Sequence, residues 1–95
     1  MKIPLTHFEE VIPPKILERG LAYYEDGAVE PPEPIDDHTF TAAVIGTDVY
    51  TITYRLSGEV MTDFSCSCPY EDGPVCKHVA ALLFYLRAEE LFGDD

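Results

Sequence analysis

The chain is short of positive charge, of cysteine and of long apolar runs. Six lysines and arginines stand against eighteen aspartates and glutamates, a net charge of −12. Sequence-independent affinity for nucleic acid comes mainly from cations that neutralise phosphates. A chain charged this way is repelled by a polyanion unless its few cations converge on one face. Lys15, Arg19, Arg55, Lys77 and Arg87 are scattered in sequence and give no sign of converging. The longest apolar run, Val79 to Leu86, has eight residues, against about 20 needed to cross a bilayer as a helix. With three cysteines, a purely disulfide framework would leave one thiol over. The sequence also lacks a glycine-rich phosphate loop and any defensible serine–histidine–acid order, so no enzymatic activity is expected. Met1-Lys2-Ile3-Pro4 is followed by no apolar signal region, and a cytoplasmic protein is expected.

What cysteine there is lies together. Cys66-Ser67-Cys68 and Cys76-Lys77-His78 fall within 13 residues. Three thiolates and one imidazole match the Cys3His set of a closed, tetrahedral, structural zinc site. Cys66 and Cys68 have the same parity as Phe64, so a strand continuing through Cys68 turns both thiols to one face. Cys76 and His78 would point about 200° apart if both lay inside a helix. They meet one metal if Cys76 sits on the turn and His78 in the first helical turn. A disulfide, a redox pair and a Cys–His nucleophile are the competing readings. Each leaves unexplained why all four residues share so short a stretch, and one zinc ion is the expected cofactor. Glu71 and Asp72, in the loop Pro69 to Val75, are expected to face solvent.

The pattern C-x-C-x(n)-C-x-H, with Pro69 after the second cysteine and Lys77 between the last two donors, resembles the SWIM zinc finger. The resemblance runs from Val60 to Leu86 and is sharpest at Cys68-Pro69 and Cys76-Lys77-His78-Val79-Ala80-Ala81. Glu18 to Val29 more faintly resembles the helix that leads into bacterial SWIM proteins. The family is named for chromatin-remodelling-type ATPases and Mutator-type transposases, where the finger usually sits inside a longer polypeptide. The resemblance implies Cys66, Cys68, Cys76 and His78 as ligands, and protein interaction or nucleic-acid binding as the role. The acidity and an all-apolar last helix favour a protein partner, with DNA binding as the alternative. In that alternative Lys77 is the first suspect, although a helix N-terminus disfavours added positive charge.

A chain of 95 residues supports one domain, with a helical lead-in over 1–30, an acidic proline-rich linker over 31–38, and sheet, zinc site and helix over 39–92. Thr6-His7-Phe8-Glu9 has the form of a capping box opening a short helix that Pro13-Pro14 ends. A second helix is expected from Pro14 to Asp26, with Gly27 just beyond its end. Leu17, Leu21 and Tyr24 form its apolar stripe, with Ile16 and Tyr23 alongside, and Gly20 permits close packing. Tyr23-Tyr24 is expected in the core, His7 and His38 at the surface.

Period-two alternation gives strands over Thr39 to Ile45, Val49 to Leu56 and Glu59 to Ser65. Tyr50, Ile52, Tyr54 and Leu56 share one face, and Val60 and Phe64 are expected on the face of the cysteines. The last helix should run from Lys77 to Leu91, buried on most sides, and end at Gly93. The expected fold is α+β: N-terminal helices, a three-stranded antiparallel sheet and a C-terminal helix, joined at a zinc corner.

Overall fold

A computed structural model describes residues 2–68 and 75–93. Among these residues the fold is α+β, with two α-helices and a five-stranded antiparallel sheet. The strands are β1 (Ile3–Pro4), β2 (Glu33–Pro34), β3 (Thr39–Ile45), β4 (Val49–Ser57) and β5 (Val60–Cys66), in the order β1-β5-β4-β3-β2. The three long strands lie where alternation places them. The two edge strands correct the expected count of three. Each is two residues long, too short to show a period, and each carries a proline. A proline suits an edge strand, where no ladder hydrogen bond is needed on the outer side.

The N-terminus is therefore sheet before it is helix. Ile3 and Leu5 are fully buried, and the Leu5 amide donates to the Glu59 carbonyl at 2.7 Å. The expected capping box does not form. Thr6 Oγ1 instead meets His7 Nδ1 at 3.0 Å, and only a single 3-10 turn, Phe8–Glu10, follows. The segment read as a linker is likewise tied to the sheet. Glu33 and Pro34 pair with Thr41 and Phe40, and the Asp36 carboxylate accepts from the amides of His38 and Thr39.

Helix α1 (Pro14–Glu25) starts on Pro14 and closes with amides of Gly27 and Ala28 donating to the carbonyls of Tyr24 and Tyr23, a Schellman arrangement. Its buried face is not the expected one. Leu21 is 38 % exposed, whereas Ile16 and Gly20 are buried. A Cβ on Gly20 would lie 2.5 Å from Ala80 Cβ and 2.9 Å from the Ala81 amide nitrogen. The line of closest approach thus runs through Gly20, as its expected close packing requires, and not along the stripe of large side chains.

Helix α2 (Lys77–Ala88) touches β3 and β4 on one side and α1 on the other. That position explains why Val79 to Leu83 and Leu86 are all buried. It ends three residues earlier than expected, at Ala88. Glu90 takes up the left-handed conformation (φ 53°), and the Leu91 amide turns back to the Leu86 carbonyl. Gly93 lies beyond this stop, its amide on the Gly58 carbonyl. Among the described residues, no helix is long and apolar enough to cross a membrane.

The β4–β5 register contains the feature that aims the cysteines. Arg55 pairs with Asp63 but Leu56 with Met61, so Thr62 is an extra residue on β5. Such a bulge reverses which face each side chain takes. Met61, not Val60, joins Leu56 in the core. Past the bulge, Phe64 opposes Tyr54 and Cys66 opposes Ile52, which returns the cysteine to the face covered by α2.

Candidate metal centre

Two elements supply the donors. Cys66 closes β5 opposite Ile52. The chain stays extended for one more residue, since the Ser67 amide donates to the Thr51 carbonyl and the Thr51 amide to Ser67 Oγ, both at 3.0 Å. Cys68 follows at the spacing that keeps side chains on one side of an extended chain. Cys76 is the residue before α2, with extended backbone (φ −85°, ψ 167°) and a carbonyl that accepts the Ala80 amide at 3.1 Å. His78 lies in the first turn of that helix. The strand end and the helix start thus meet as their spacing predicts.

The donor atoms of Cys66, Cys68, Cys76 and His78 all lie within 4.8 Å of one another. Nδ1 of His78 is 3.9 Å from Cys66 Sγ and 3.8 Å from Cys76 Sγ. In tetrahedral coordination, bonds of about 2.3 Å to sulfur and about 2.0 Å to nitrogen put those atoms roughly 3.5 Å apart. A small contraction brings the four onto one ion. Soft thiolates with one imidazole suit zinc, and the set fits one structural Zn2+. Zinc held by four protein donors keeps no open position for substrate.

Cys76 is 6 % exposed and His78 3 % exposed, while Cys66 and Cys68 are half-buried. The neighbouring Cys66 thiol holds the Cys76 thiol below its ordinary range against the opposing effect of burial, and the Val79 amide also favours the thiolate. Cys66 is pushed up by the same contact and by burial. Metal binding displaces the thiol protons. The N-terminus of α2 adds its partial positive charge beside Cys76.

The flanking residues are aromatic. Tyr50 stacks on the His78 ring, centroids 4.0 Å apart and planes at 23°. Tyr23 meets the same ring at 5.4 Å and 58°, and Lys77 Nζ lies 5.5 Å from the Tyr23 centroid. Tyr24 turns the other way, onto Phe84 at 6.3 Å. Spacing between the cysteines does not reveal Tyr50, although a signal exists. Tyr50 shares a face with Ile52, and Ile52 opposes Cys66 across the ladder.

The remaining residues singled out by sequence lie elsewhere. His7 and His38 are exposed and belong to local turns. Arg87 is engaged by Glu9 at 2.6 Å, and Arg55 lies on β4 opposite Thr39 and Asp63. Glu71 and Asp72 fall outside the described residues.

Residues 50–87 match the family model described as the SWIM zinc finger. The match opens on Tyr50, ends on Arg87 and contains all four donors. No curated protein and no solved structure matches the chain.

Proposed function

We propose that the SWIM zinc finger of residues 50–87 serves as a closed structural zinc module, and that the domain built on it docks a basic segment of another protein. The zinc supplies shape, not chemistry, and this is a non-enzymatic role. Reduced thiols suit a cytoplasmic setting, as a module of a helicase-like or transposase-like protein.

The observation that carries the reading is a groove on the face of β3 and β4 turned away from α2. It has a volume of about 530 Å³, with Glu30, Pro31, Pro32 and Glu33 along one wall. Thr41, Ala43 and Thr51 floor it with small side chains, and Ile45 and Val49 stand at its end. Those two are paired across the strands and are 41 % and 57 % exposed. Among the described residues lining it, none is basic. An acidic wall beside a floor of small side chains that ends in two exposed aliphatic ones complements an extended peptide that alternates basic and aliphatic residues. The net charge of −12 steers such a peptide in and phosphates away.

The test is fluorescence anisotropy of zinc-loaded protein against a labelled peptide of alternating lysine and leucine, and against labelled duplex DNA, single-stranded DNA and RNA. Peptide binding that weakens with salt and is lost in a Glu30→Lys, Glu33→Lys variant supports the reading. Salt-sensitive nucleic-acid binding without peptide binding overturns it in favour of DNA or RNA. Lys77→Glu would then show whether the cation over Tyr23 takes part.

A further inference from the structure

A metal-bound histidine normally has its ring orientation and tautomer fixed by a hydrogen bond from the nitrogen that does not ligate. Here Nδ1 faces the thiols of Cys66 and Cys76. Nε2 is buried and has no hydrogen-bond partner among the described residues. Among the described residues, none supplies the usual orienting bond. The ring is 3 % exposed, so the side chains packed against it decide how it lies, with one edge toward the sulfurs.

Two tyrosines do so. The Tyr50 ring lies nearly parallel to His78 at 4.0 Å, a separation at which the imidazole cannot rotate about its Cβ–Cγ bond without colliding with it. Tyr23 also meets the ring, at 5.4 Å. Both tyrosines are backed by the β3–β4 turn. A Cβ on Gly46 would stand 3.2 Å from Tyr23 Oη and 3.4 Å from Tyr50 Cε2. The Tyr50 hydroxyl lies 3.5 Å from Thr47 Oγ1. The strand that pairs with Cys66 therefore also carries the group that sets the histidine, which couples two donors from separate elements through β4.

We infer that Tyr50, flanked by Tyr23, is a positioning residue for the metal site: its ring fixes the His78 imidazole with Nδ1 toward the thiolates, in place of a hydrogen bond to Nε2. The hydroxyl is not needed for this, but the flat ring is. Tyr50→Phe keeps zinc affinity, measured by competition with a chromophoric chelator. Tyr50→Leu lowers it about 10-fold, the lower end of what losing an orienting partner costs. A purely structural tyrosine would weaken the site whatever its fourth donor, so the same substitution is made in a His78→Cys background. There the loss disappears, because a thiolate has no ring to orient. Equal losses in both backgrounds, or no loss in either, overturn the inference.

Cobalt-loaded protein gives a spectroscopic readout. Its visible ligand-field bands shift in Tyr50→Leu and not in Tyr50→Phe. A measurement on the unaltered chain stands apart from any folding defect of the variants. Nitrogen-15 spectra of the cadmium-loaded protein show metal coupling to Nδ1 and a proton on Nε2. Coupling to Nε2 instead overturns the inference outright.

Discussion

The two ends of helix α2 are held by different physics. At its start, Cys76 and His78 meet Cys66 and Cys68 in a cluster of donors that must lose protons to act together. At its far end, Leu86 is fully buried, Phe84 meets the Phe8 ring edge-on at 4.9 Å, and the Arg87 guanidinium lies 4.4 Å from the Phe8 centroid. The first end is sensitive to chelator and acid, because metal affinity depends on thiolate and neutral imidazole. The second rests on apolar burial, which neither reagent touches. Small domains often need a staple because their cores are modest. In this chain the staple stands at one end of a core that continues well beyond it.

The sharpest way to break that contrast is to remove a buried ligand. Cys76→Ser is expected to lose nearly all its zinc, measured by elemental analysis. It should melt well below the parent protein, since structural zinc contributes on the order of 10 kcal/mol where folding and binding are linked. His78→Ala should do the same more mildly, because three thiolates remain. Hydrogen exchange on chelated parent protein then locates the damage. Protection should fall at the start of α2 and the end of β5, and persist in β3, β4 and around Leu86. Uniform loss of protection would show that the apolar end cannot stand alone, and the contrast would be gone.

A smaller effect is expected where the helices touch. Gly20→Ala places a methyl 2.5 Å from Ala80 Cβ and 2.9 Å from a backbone nitrogen. Overpacking of this kind costs about 1–3 kcal/mol, partly offset by the roughly 1 kcal/mol that alanine gains over glycine within a helix. Urea titration should show a net loss of up to about 2 kcal/mol, equal with and without zinc. A loss confined to the zinc-loaded form would place this contact under the metal's control.

The same contrast separates what was legible in the sequence from what was not. The four donors are readable because C-x-C and C-x-H are local patterns, and each fixes its own turn of backbone. The long strands are readable because alternation persists over seven to nine residues. Strands β1 and β2 are not, being two residues long and proline-bearing. The extra residue at Thr62 is hidden for a related reason. Reading alternation straight through β5 puts Val60 in the core, and only the pairing with β4 reveals the shift to Met61. The close packing at Gly20 is readable as well, but the stripe through Leu17 and Leu21 misplaces the buried face, because the closest contact needs the least side chain. Tyr50 escaped for lack of locality, since it reaches His78 only through the packing of sheet against helix.

The smallest expected effect tests the apolar end for a pH dependence of its own. The Arg87 hydrogen bond holds the Glu9 carboxyl below its ordinary value of 4.5, against the opposing effect of burial. A carboxylate whose pKa is depressed by folding stabilises the protein above its unfolded pKa. That stability is lost as pH falls from about 4.5 through the lower folded value. The pair is partly exposed, 32 % for Arg87 and 45 % for Glu9, so solvent screening limits its worth to a few tenths of a kcal/mol, about 1 at most. Zinc release in acid acts in the same direction and would swamp it. The measurement therefore belongs in the Cys76→Ser background, comparing urea midpoints at neutral pH and below pH 4 with and without Glu9→Gln. Glu9→Gln should lower stability slightly at neutral pH and flatten the acid-side decline, and added salt should shrink the difference. If the decline keeps its slope without the carboxylate, Arg87 is held by the rings of Phe8 and Phe84 alone, and the far end of α2 is indifferent to pH as well as to metal.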